Sequence, residues 1–386
     1  MTHPVQLVFP PFPLLIALIA GGCGSAPKPD PAAGSSALLG VTPSTIRKPA
    51  GNAAPAKLAG SAVSGGPDAA SVPQPDAEPA TPEVTFSPAG FHPPFPASAS
   101  PEDGVWTQVG QALAGEVASA APRVFRASVH PHPKSPFVRM DVAAIDLTQA
   151  SLHWVIGTDD EGADKLMPHL TPGLINSADQ EHTLAVFNGG FQARHGHWGM
   201  MSHGVEIVPP RDIGCTLLQT TDGQLRIAAW SLIKPDTEPA NNTQQGTSPL
   251  DLRTVRYLRQ GPPCLLHNDV VHPQLLKGQD KLWAGRNADL RTRRRSAVGL
   301  NAARTVLYYA VGTETEPVDL ARGMLAIGAS HALQLDINWN WTRFLIAGRR
   351  EGVPRVTSTL IPDTAHGKNE YFSRPSQRDF FYVRVK

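Results

Sequence analysis

The sequence predicts an α+β fold: a single domain of mixed or antiparallel β-sheet with few helices, preceded by a disordered Pro/Ala/Gly-rich tether. Three observations carry this expectation. Short apolar runs recur at 152–156, 183–187, 205–208, 215–219, 225–230, 296–300 and 305–311, each of strand length. Only Pro317 to Ile327 reads clearly as helix. All 7 tryptophans and 5 tyrosines lie beyond residue 101, so the material of a core is concentrated in 102–386.

The first strand signal, Phe137 to Ile145, alternates apolar and polar residues at its start, as a half-buried strand does. The runs 215–219 and 225–230 flank Asp222-Gly223, a strong hairpin turn signal. Pro317 suits the first turn of a helix, Leu320, Ala321, Met324, Leu325 and Ile327 supply an apolar face, and Gly328 can close it. His331 to Leu335 then reads as a strand ending at Asp336.

Length and charge bound the function. A chain of 386 residues fits one large domain or two small ones. With 34 Lys and Arg against 33 Asp and Glu, no long-range field attracts a polyanion, and nucleic acid is not an expected partner. Residues 1–22 read as an export signal, because the apolar stretch Leu14 to Ala20 is far shorter than the roughly 20 residues that span a bilayer. Ala20-Gly21-Gly22-Cys23 resembles the lipobox of bacterial lipoproteins, which implies lipidation of Cys23; a plain secretory signal cut at the same bond is the alternative. Residues 23–101 are then a tether and 102–386 the folded domain. The expected location is the bacterial cell envelope, with a lipid anchor as the only membrane contact, or otherwise the periplasm or exterior. Cys215 and Cys264 remain as an even pair in an oxidising compartment; a disulfide and two buried thiols both fit.

Three clusters could carry chemistry: Asn188-Gly189-Gly190-Phe191 with its histidine-rich continuation, Arg294 to Gly299, and Leu333 to Asn338. Their order and spacing resemble the phosphodiester glycosidase family over roughly residues 137–386. The matching elements are Asn188 to Phe191, His203 to Ile207, Arg295 to Gly299, Asp319-Leu320-Ala321 with Gly328-Ala329, Leu335-Asp336, and Arg374-Pro375. The sequence departs from the family after Asp336, where Ile337, Asn338, Trp339, Asn340 and Trp341 replace the usual glycines and serine.

The resemblance implies an exported hydrolase acting on a sugar-1-phosphodiester, or a related glycosidic linkage, in an envelope polysaccharide or glycoconjugate. Asp336 is the expected catalytic carboxylate, with Glu206 as its partner. Glycines at 189 and 190 let a ligand approach main-chain N–H groups beside Asn188, although a plain turn explains them too. Arg295 is the expected phosphate ligand, since a guanidinium fork matches phosphate bidentately. His203 and Asn338 are expected at the substrate. Trp339 and Trp341, at alternate positions, form either a stacking platform or core. His195, His197 and His203 have no adjacent cysteine and no carboxylate at a characteristic spacing, so no metal site and no cofactor is expected. The rival expectation, supported by Ile337 to Trp341, is a non-catalytic glycan-binding surface lipoprotein on the same scaffold.

Overall fold

The computed structural model describes residues 86–109, 124–161, 172–235, 250–284, 292–362, 364–367 and 369–386. The signal segment 1–22, Cys23 and the tether up to residue 85 lie outside the described residues.

The described residues form a single β-rich domain of antiparallel sheets with few helices. One sheet has 8 strands and two have 5. The large sheet runs in the order β1 (Thr107–Val109), β2 (Val124–Val129), β3 (Met140–Asp146), β14 (Val306–Thr315), β13 (Arg293–Leu300), β15 (His331–Ile337), β11 (Leu266–His267) and β12 (Val270–Val271), of which β13, β14 and β15 matter for the site. From the second sheet come β6 (Met200–Ser202), β7 (Val205–Val208), β8 (Cys215–Thr220), β9 (Leu225–Ala229) and β10 (Val255–Gly261). From the third come β4 (Ala150–Val155), β5 (Thr183–Asn188), β16 (Phe344–Arg350), β17 (Val353–Thr359) and β18 (Phe380–Val385).

Two apolar clusters account for most of the packing. The helix Pro317–Ala326 covers one face of the large sheet, burying Leu320, Ala321 and Met324 against Ala297, Ala310 and Ala332. It starts at Pro317 with a reciprocal Glu316–Asp319 capping box, and Gly328 ends it at a φ of +96°, open to glycine. The other face of the sheet packs on its neighbours through Val298, Leu333, Tyr309, Phe187, Phe344 and Phe381. At the Asp222-Gly223 turn, β8 pairs with β9. Cys215 and Cys264 form a disulfide with Cα atoms 4.6 Å apart, tying β8 to the residues after β10.

The folded region begins earlier than residue 102. Residues 86–101, assigned by composition to the tether, pack on the domain: Phe86 meets Phe125 at 5.7 Å and Phe91 meets Trp106 at 5.6 Å. Asp103 pairs with buried His130 at 2.9 Å and fixes this segment further. A few phenylalanines at suitable spacing supplied an anchor that average composition concealed.

Candidate active site

Asn188 ends β5 and is fully engaged. Its Oδ1 accepts from the Tyr309 hydroxyl at 2.8 Å and from the Arg343 amide at 3.1 Å. Its Nδ2 donates to Ser296 Oγ at 3.0 Å. Ser296 in turn donates to the Asp336 carbonyl at 2.9 Å, and the Asp336 amide donates to the Gly189 carbonyl at 3.0 Å. Three motifs distant in sequence are thus joined by a continuous hydrogen-bond path.

The side chain of Asp336 faces the same hollow as Asn188 because of a β-bulge. Between the pairs Arg295–Ile337 and Ala297–Gln334, β15 carries one residue more than β13. Alternation breaks there and re-aims Asp336, a known use of bulges. The carboxylate accepts from Arg378 Nη2 at 2.7 Å and from the Ile337 amide at 2.9 Å. Burial pushes its pKa up to about 7, with the Arg378 guanidinium opposing the rise and the Asp379 carboxylate adding to it.

Asp379, directly before β18, is the residue that the sequence did not point to. Its Oδ2 accepts from Arg259 Nε at 2.8 Å, Trp154 Nε1 at 2.9 Å and the Gly190 amide at 3.2 Å. Both ions of the Arg259–Asp379 pair are buried. Burying such a pair is costly unless its remaining polar atoms are satisfied; Arg259 is satisfied by donating to the carbonyls of Gln260 and Phe191, and Asp379 only in part. Asp379 Oδ1 is buried with no hydrogen-bond partner among the described residues, as is Arg378 Nε. The glycines are needed for this close approach: a Cβ at Gly189 would stand 2.1 Å from Asp379 Oδ2, and one at Gly190 2.9 Å from the Arg259 guanidinium. Nearby Asp160 is pushed up to about 6, chiefly by burial and next by the Asp379 charge.

Asn188, Gly189, Gly190, Asp336, Arg343, Arg378, Asp379 and Trp341 all border one cavity of ≈10 Å³, room for about one water molecule. Trp341 lines it too, with the Arg378 guanidinium 4.8 Å and the Arg343 guanidinium 6.0 Å from its ring. Arg343 also pairs with Glu370 at 3.0 Å.

Several expected site residues lie elsewhere. Arg295 is buried on the helix-covered face, sharing it with Ala297, and donates to the carbonyls of Thr315 at 2.9 Å and Trp283 at 2.8 Å. The two-residue period of β13 gives the cavity side to Ser296 instead. Glu206 is exposed on edge strand β7 of another sheet, outside the cavity. His203 follows β6 at a φ of +49° and borders a different cleft. Asn338 shapes the turn after β15: its φ is +89°, its Oδ1 accepts from the Asn340 amide, and its carbonyl accepts from the Thr342 hydroxyl. Trp339 is exposed and lies against Arg294, 5.1 Å from ring to guanidinium. Among the described residues, no three of His, Cys, Asp or Glu cluster to hold a metal ion.

No family model matches the chain, and no curated protein does. Among solved structures it is distantly similar to the zebrafish N-acetylglucosamine-1-phosphodiester alpha-N-acetylglucosaminidase catalytic domain, auto-inhibited by its pro-peptide. That likeness has a TM-score of 0.39 and 12% identity, over 78% of this chain and 96% of that chain. A hypothetical protein from Synechocystis is similar at a TM-score of 0.36 and 13% identity, over 69% of this chain and 62% of that chain.

Proposed function

We propose that the protein is an exported glycosidase, lipid-anchored through Cys23 at the cell envelope, that hydrolyses a sugar-1-phosphodiester or related glycosidic linkage. The observation that carries this reading is the pairing of Asp336 and Asp379 on one cavity, with Asp379 Oδ1 and Arg378 Nε both buried and unpartnered. Buried polar atoms without partners are uncommon and call for a ligand, a water or a chemical role. Burial pushes the Asp336 pKa up to about 7, so part of the population is protonated near neutral pH, and that form can deliver its proton to the departing phosphate oxygen. Asp379 Oδ1 is placed to accept from an attacking water. Arg378 and Arg343, rather than Arg295, supply the fork for phosphate.

Substrate requires Trp341 to swing out, because the cavity holds about one water. Once displaced, its indole offers a face for the sugar ring. The small size of the cavity, and the closed Asp336–Arg378 pair, favour a second reading: a glycan-binding surface protein that no longer turns over.

The two readings separate in one experiment on the full chain with a panel of sugar-1-phosphodiesters. Turnover lost in both Asp336→Asn and Asp379→Asn, with folding intact, supports the hydrolase. Saturable glycan binding without turnover by the wild type supports the second reading, and turnover that survives Asp336→Asn sinks the proposed chemistry.

A further inference from the structure

A separate groove runs along β4, the edge strand of its sheet. Two hollows, of ≈660 Å³ and ≈580 Å³, share His153 and Arg256 at their common waist. His153 stacks on Tyr382 with ring centroids 4.8 Å apart and planes 12° apart. Its Nε2 meets Ser151 Oγ at 2.9 Å. Burial pushes the His153 pKa down to about 4, so the ring is neutral at pH 7 and presents an aromatic face without charge.

The fixed charges of the groove are unbalanced. Asp179 is bound to Arg384 and accepts from the Tyr382 hydroxyl at 2.5 Å, and Asp222 lies on the turn after β8. Lys386 Nζ donates to the carbonyls of Leu147 and Thr148, not to a carboxylate. Arg256 and Arg304 have no ion-pair partner among the described residues, and Arg256 is half-buried at the waist where both hollows meet.

Edge strands invite an added peptide strand through their free main-chain groups. Here part of that edge is already engaged: the Leu152 carbonyl accepts from the Tyr257 hydroxyl at 3.1 Å, and just past the strand the Ile156 carbonyl accepts from the Gly173 amide at 2.7 Å. Recognition then falls to side chains, an aromatic face beside an unpaired guanidinium. We propose that this groove is a binding site for an anionic saccharide, one sugar ring stacking on His153 and its carboxylate or phosphate held by Arg256. The site is distinct from the Asp336 cavity and stands whether or not that cavity turns over a substrate.

Calorimetric titration of the full chain with trigalacturonate, its methyl ester, glucose 1-phosphate and tetraglutamate tests the assignment. Trigalacturonate or glucose 1-phosphate should saturate, and the tighter of the two names the preferred anion. The uncharged ester should bind at least about tenfold more weakly than the acid, the scale of one charge-assisted contact. Arg256→Met should lose about tenfold, and Arg256→Lys should recover part of it. Equal melting temperatures of the Arg256 variants and wild type exclude unfolding as the cause. The assignment fails if neither anion saturates below about 10 mM, if ester and acid bind alike, or if Arg256→Met binds as tightly as the wild type. It fails equally if tetraglutamate matches the saccharide, which would make the groove a peptide site.

Discussion

Arg378 donates to the Asp336 carboxylate at 2.7 Å, inside a cavity that this arginine itself helps to enclose. The pair is one of a small set of ions held close: Arg259 and Asp379 form a second buried pair bordering the same glycines. Opposed charges arranged this tightly make the region sensitive to pH, to added atoms and to loss of one partner.

Burial lifts the Asp336 pKa from 3.8 to about 7, so the folded chain holds this proton more tightly than the unfolded chain. Between those values the group lowers stability as pH rises. Asp336→Asn removes that slope. Relative to wild type, the variant should gain unfolding free energy as pH climbs through this interval, and level off on either side. Urea unfolding at a series of pH values measures it, and a flat difference would falsify the buried-acid assignment.

Gly189→Ala should be severe. Its Cβ would lie 2.1 Å from Asp379 Oδ2, and the carboxylate is pinned by Arg259, Trp154 and Gly190. A cost of about 3 kcal/mol or more is expected for overpacking of this kind. Gly352→Ala, with a φ of +76° but nothing within 4 Å, should cost about 1 kcal/mol. Equal losses in denaturant titrations of the two variants would contradict the steric account.

The two arginines of the expected and proposed sites should behave oppositely. Arg295→Met removes a buried donor from the Thr315 and Trp283 carbonyls, of which the second keeps Gln334 Nε2 at 3.0 Å, and should cost about 1–3 kcal/mol of stability. Binding of a sugar phosphate should then be unaffected at a temperature where the variant is folded. Arg378→Met should weaken that binding by about tenfold or more. Calorimetry on both variants decides, and the reverse pattern would return the phosphate site to Arg295.

The Cys215–Cys264 bond closes a loop with a sequence separation of 49. On loop-closure entropy it contributes about 4 kcal/mol. Replacing both cysteines by serine should lower the melting temperature, and reductant should then have no additional effect. A reductant-sensitive melting curve in the double variant would refute this.

Much of the domain could be read along the chain. The strands at 183–187, 215–219 and 305–311, the turn at Asp222-Gly223 and the helix from Pro317 follow from period, turn chemistry and capping. Strand β10 escaped notice because it places Arg259 in the deep interior, breaking the apolar run that marks a buried strand. Asp379 escaped for a different reason. Nothing beside it in Ser376-Gln377-Arg378 signals a site, and it reaches Gly189 only because β18 pairs with β5, Phe380 opposite Asn188.

The residue order alone determined that strands dominate, that a helix follows Glu316, and that Asn188, Ser296 and Asp336 each belong to a strand or its end. Only the tertiary structure decided which side of each strand faces the cavity. A strand alternates its side chains blindly, so Arg295 and Ser296 are equivalent until pairing assigns the faces. The extra residue in β15 then turned Asp336 inward, and the partner strand brought in Asp379 in place of Glu206. Local sequence sets periods, while the choice of faces depends on contacts between residues far apart in the chain.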